Sequence, residues 1–93
     1  GLIELHGHVN RYGWAIGSPD DELIDQQCTT AVVSAGDAGV NNLPALRRYI
    51  VAQTRARMYA FLHIANHGLS GFPVAELYNI DHAQVEACAM ALL

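Results

Sequence analysis

His6-Gly7-His8 is where residue type and spacing first combine into chemistry in this chain. Successive side chains of a strand point to opposite faces, so histidines at i and i+2 share one face. Their Cβ atoms then lie roughly 6.5–7 Å apart, a span two imidazoles can close around one ion. The residues leading to them, Leu2-Ile3-Glu4-Leu5, are apolar apart from Glu4. An apolar strand that abruptly presents two imidazoles at its end predicts a metal site there. His63 and His67 form a second pair at i, i+4, the spacing of helical zinc sites. They straddle the end of an expected strand, so that spacing loses its helical meaning. A place lining or flanking a pocket is expected for them instead.

Imidazoles at a strand end need elements to hold them, and the pattern along the chain supplies these in alternation. Residues 1–9 read as a buried strand, followed by a glycine-rich loop, Tyr12-Gly13-Trp14 and then Gly17. Ser18-Pro19-Asp20-Asp21-Glu22 offers an N-cap, a proline at the first helical position and acids in the first turn. A short helix ending near Gln27 is expected. The β-branched run TTAVVS at 29–34, bounded by Gly36, predicts a second strand. After a loop at 36–39, a helix is expected from about Asn42, with Pro44 in its first turn. Leu43, Leu46 and Ile50 make its apolar stripe, with Arg47, Arg48 and Arg55 on the other side. Residues 58–64 read as a third strand and 66–73 as a loop. Asp81 with Gln84 resembles a capping box, and Val85, Cys88, Ala89 and Leu92 mark the buried side of a last helix.

The order β-α-β-α-β-α, with strands too apolar to be half-exposed, calls for a parallel sheet with right-handed crossovers and helices outside. Three such strands with two open edges are too few to stand alone, so the chain is expected to be a piece of something larger. Ninety-three residues make at most one small domain, and a content of 52% hydrophobic and 15% charged residues leaves a surface poor in charge. Faces buried against further protein are therefore expected. The net charge of −4 gives no reason to expect nucleic acid or an anionic membrane as partner. All five basic residues are Arg, and Lys is absent. Cys28 and Cys88 lie far apart without CxxC or CxxH spacing. Buried free thiols in an intracellular, cytoplasmic protein are expected, with a disulfide left open. No apolar run approaches the roughly 18 residues that span a bilayer. A signal peptide is expected to be absent or already removed, and the start at Gly1 without Met points to a cut or processed chain.

Three segments resemble one family. GLIELHGHV is similar to the (P)G-(L/F)-I-D-x-H-x-H signature that opens the metal barrel of the amidohydrolase superfamily, the dihydroorotase-like enzymes. TTAVVSAGDAG resembles the G-(V/C)-T-T-(V/A)-V-D-A-G-(S/D)-A-G second strand of its deacetylase-like branch. LPALRRYIVAQTRARMYAFLHIANHGL resembles that branch's F-R-R-Y-V-I-E-x-x-R-T-R-V-x-A-F-L-N-I-S-x-x-G-L segment. Together they cover nearly the whole chain, to about Glu86, in the family's order. Three departures stand out: Glu4 for the usual Asp, Gly7 for a bulkier spacer, and Ser34 where the branch commonly has Asp. None removes a ligand.

The resemblance implies that residues 1–93 are the first three βα units of a (β/α)8 TIM barrel, incomplete as given. Members bind one or two divalent metals, usually zinc, and the histidines of the first strand are ligands. By this resemblance His6 and His8 are metal ligands here. A lysine carboxylated on its amine, two further histidines and a proton-shuttling aspartate would come from later strands. No catalytic residue carries over onto this chain. Strand C-terminal ends face the active site in such barrels. Arg11, Asp37, His63, Asn66 and His67 are accordingly the expected substrate-binding residues, Arg11 for a substrate carboxylate. For Asp37 a plain turn-forming role is the alternative. His82 is expected to be solvated, and Trp14, Tyr49 and Phe61 to serve packing.

The implied activity is hydrolysis of an amide, cyclic amide or acyl ester bond of a small molecule by metal-activated water, with this segment inactive alone. A non-catalytic barrel relative acting as scaffold or interaction protein is the alternative, because folds persist after ligands are lost. A stand-alone α/β module that binds metal opportunistically is a third. The expected partners are the small-molecule substrate and the remainder of the barrel, with a homo-oligomer left open.

Overall fold

The computed structural model of the chain describes residues 1–13, 17–18 and 20–70. The expectations for Trp14, Pro19, His82, Cys88 and the last helix lie outside these residues.

The elements follow in the order β1 (Leu2–Gly7), α1 (Asp20–Gln27), β2 (Thr29–Ala35), α2 (Leu43–Leu46), a π-helical turn Arg47–Val51, β3 (Arg57–Phe61) and a 3-10 turn Gly68–Ser70. This is an α/β fold. The strands form one parallel sheet in the order β1-β2-β3, so the β-branched TTAVVS run takes the centre. In register, Val32 stands opposite Glu4 on one side and Met58 on the other. Two shifts interrupt the β1–β2 ladder, the second between Glu4 and Gly7. There Leu5 and His6 oppose Val33 alone, an irregularity of the kind that re-aims a side chain next to a site.

Helices cover one face of the sheet. Val9, Val32, Ala38, Leu46 and Ile50 form the buried cluster, with Leu23, Leu43, Ala56, Met58 and Ala60 packed against it. Leu46 and Ile50 are the predicted stripe, and Arg47 and Arg48 are exposed on its far side. Arg55 points away from this core as well. One of its terminal nitrogens donates to both oxygens of Asp25 at 2.9 Å, tying α1 to the turn before β3. Both partners are solvated, so the tie is worth about 0.2–1 kcal/mol.

The strands differ from expectation in burial. Tyr59 and Phe61 alternate with the core residues Met58 and Ala60, face away from the helices, and remain 55% and 66% exposed. Leu2, Ile3 and Leu5 are 65%, 64% and 68% exposed. The sequence reads these strands as buried on both sides. Among the described residues β1 and β3 are both edges, and the described helices cover a single face.

Strand ends differ too, for a shared reason. The strand expected to reach Val9 stops at Gly7, because Val9 and Asn10 donate their N–H groups to the Asp37 carboxylate, at 2.8 and 3.2 Å, instead of to a ladder. The strand expected at 58–64 ends at Phe61, because His63 N–H donates to the Ala38 carbonyl at 2.9 Å and draws the chain over the loop after β2. Asn42 ties the loops further: its Oδ1 accepts from Gly39 N–H and its Nδ2 donates to the His67 carbonyl. Cys28 corrects another expectation. It is exposed at the α1–β2 junction, with a left-handed φ of 55°, rather than buried. No helix among the described residues is long and apolar enough to cross a membrane.

Candidate metal centre at the strand ends

His6 lies in β1 and His8 one residue beyond its end. Their rings stand with centroids 5.2 Å apart and planes at 85°, edge to face. The irregularity at Leu5-His6 and the glycine between the histidines set this approach. A Cβ at Gly7 would come within 2.9 Å of Val32 Cγ2, so the spacer must be small for the strand to lie against β2. Glu4 also acts locally: its Oε1 accepts the His6 N–H at 2.8 Å and holds the backbone under the first imidazole.

Behind His8 sits Asp37, fully buried. The chain leaves β2 and turns at Gly36, whose φ of +81° is a left-handed conformation that side chains other than glycine rarely adopt. This turn brings Asp37 back under the end of β1. Its Oδ1 lies 2.6 Å from His8 Nδ1. Its Oδ2 accepts from three donors: Val9 N–H at 2.8 Å, Asn10 N–H at 3.2 Å and Ser34 Oγ at 2.9 Å. Buried carboxylates need such partners, since an unpaired one loses its hydration with nothing in return. Ser34 is itself fully buried. In the sequence Ser34 stands out only as a departure from the resembling segment. Its spacing of three residues before Asp37 was the available signal.

The other expected substrate contacts spread around the same strand ends. His63 lies beside the Gly36 turn, its Cδ2 about 3.3 Å from where a Cβ at Gly36 would stand. Its Nδ1 accepts the Ala65 N–H at 2.9 Å, so the neutral ring carries its proton on Nε2. Asn66 has its Oδ1 buried with no hydrogen-bond partner among the described residues. His67 is exposed, with its carbonyl held by Asn42. Arg11 lays its guanidinium 4.9 Å from the Tyr12 ring centroid, a cation–π contact. Thus His6, His8 and Asp37 are brought together. Asp37, expected to face substrate, offers no exposed surface to one.

The donor set suits a divalent ion of zinc type. Two imidazoles converge, and the outer partner of one is a carboxylate, the usual support of a histidine ligand. Among the described residues no group of three or more His, Cys, Asp or Glu is placed to hold a metal, so these two provide a partial set. Three of the concavities in the described surface, the largest about 580 Å³, are lined by residues other than His6 and His8. The largest opens at the start of the strands beside Gly1, Ile3 and Thr30.

No family model matches the chain. Over 69 residues it is 35% identical to a deacetylase of Agrobacterium fabrum, covering 74% of this chain and 17% of that protein. It is 33% identical over 69 residues to a deacetylase of Brucella anthropi, with the same coverage of 74% and 17%. The crystal structure of a dihydroorotase superposes with a TM-score of 0.86 at 31% identity, over 97% of this chain and 25% of that one. The chain therefore spans 17% of the length of the curated relatives it matches. It shares its fold with part of a dihydroorotase and is similar in sequence to deacetylases.

Proposed function

We propose that this chain forms the first three βα units of the barrel of a metal-dependent amidohydrolase, with His6 and His8 as ligands of a divalent ion, zinc foremost. The substrate class is an amide, cyclic amide or acyl ester of a small molecule. The observation that carries the reading is the convergence of the two imidazoles, 5.2 Å apart at the end of β1, in a fold that superposes on part of a dihydroorotase. When bound, such an ion lowers the pKa of its water and polarises the scissile carbonyl. The chain's own residues do the rest of what can be assigned. His6 and His8 orient donor atoms to one side of the strand end. Asp37 holds the His8 ring from behind through Nδ1, and Glu4 holds the His6 backbone through its N–H. His63 presents an Nε2–H donor, and it adjoins Asn66 and His67 on the rim where substrate oxygens would lie. The remaining ligands and the proton shuttle are assigned to protein beyond these residues.

Metal analysis of the intact protein tests this. The wild type should carry at least one divalent ion per chain, and a His6→Asn/His8→Asn variant should lose it on gel filtration in chelator. Metal content unchanged by the double substitution would end the reading.

A further inference from the structure

His8 follows β1 and His63 follows β3, on either side of the central strand, and the two receive opposite instructions from their surroundings. At His63 a backbone N–H points at Nδ1, at 2.9 Å, and forces the proton to Nε2. At His8 the group facing Nδ1 is a carboxylate oxygen, at 2.6 Å, which accepts and therefore holds the proton on Nδ1. That tautomer puts the ring's lone pair on Nε2. We propose that Asp37 is the positioning residue of this centre: it fixes the tautomer and the ring orientation that let His8 bind a metal through Nε2. The inference rests on the proposed metal site and adds to it a residue that touches neither ion nor substrate.

The geometry makes the role sharper than that of a generic buried acid. Oδ2 is surrounded by three donors, two of them backbone N–H groups that cannot turn into acceptors. Only an oxygen fits there. In an Asp37→Asn variant, the amide oxygen must take the Oδ2 place, which leaves the NH2 facing His8 Nδ1. A donor against Nδ1 sends the imidazole proton to Nε2, as already happens at His63. The change of a single atom then inverts the tautomer while size and packing are kept. Donors that lock a carboxylate from behind thus decide which nitrogen of the next residue can coordinate. Full burial of Asp37 shuts out water that would otherwise relax the constraint.

The test uses the intact protein, stripped of metal and labelled with nitrogen-15 at histidine. Long-range proton–nitrogen correlation, assigned with a His8→Gln control, reads the His8 tautomer directly. The wild type should show the proton on Nδ1, and Asp37→Asn should show it on Nε2. Zinc affinity by chelator competition should fall about 10–100-fold in Asp37→Asn, with circular dichroism unchanged. A wild-type His8 protonated on Nε2 overturns the inference, even if the variant does not fold. So does a folded variant whose tautomer and zinc affinity match the wild type. Failure of the metal reading looks different: zinc would not bind the wild type at all, while the tautomer result would stand.

Discussion

At the scale of single residues, the site is a lesson in how backbone donors govern side-chain chemistry. Ser34, Val9 and Asn10 all donate to one oxygen of Asp37, and the other oxygen meets His8. Ser34 stands where the resembling segment commonly has Asp, yet the carboxylate is retained nearby at Asp37, and the two side chains bond each other. Substituting Ser34→Ala removes one of three donors to Oδ2 and leaves both backbone donors. A loss of about 0.5–1.5 kcal/mol is expected, the net worth of one buried hydrogen bond, or somewhat more because its acceptor is charged. Urea denaturation of the intact protein checks it. A change below a few tenths of a kcal/mol would mean that the hydroxyl does not hold Asp37.

At the scale of elements, β1 does more than carry two histidines. Its irregular register at Leu5-His6 and its stop at Gly7 allow the following backbone to bend onto Asp37. Gly7 lets that strand lie against Val32. A Gly7→Ala substitution puts a methyl 2.9 Å from Val32 Cγ2. Overpacking of that kind costs roughly 1–3 kcal/mol. The signature of this cause is rescue: Val32→Ala, itself destabilising because Val32 is fully buried, should recover part of the loss in the double variant. Thermal melts of the four proteins measure the coupling. Strictly additive losses would show that Gly7 is constrained by something other than Val32.

For the whole molecule, the decisive feature is the sheet face that none of the described helices covers. Ile3, Leu5, Tyr59 and Phe61 are apolar and largely exposed, on a sheet whose edges among the described residues are β1 and β3. Singly exposed apolar residues are ordinary, but a grouped set on one sheet usually has a partner. We read that partner as the remainder of a barrel. Residues 1–93 expressed alone should therefore bind a hydrophobic dye strongly and run on size exclusion as assemblies larger than a monomer. A monodisperse monomer with a cooperative melt would contradict this. The described residues contribute three strand ends to the expected substrate-choosing surface.

The alternation of elements, the parallel order and the stripe of Leu46 and Ile50 were set by local chemistry. Caps, β-branching and apolar period act over a few residues and are visible in the chain itself. The histidine pair was visible for the same reason, being two residues apart on one strand. Asp37 is legible in the chain as a pocket wall or a turn former, and not as the partner of His8. Its real position depends on a left-handed turn at Gly36, which swings it across to residues 27 to 29 positions earlier. The true ends of β1 and β3 were hidden likewise, because their backbone donors are taken by groups distant in sequence, Asp37 and Ala38. Which nitrogen of a histidine carries the proton follows from whether a carboxylate or an N–H faces it, and only tertiary structure brings one or the other into place.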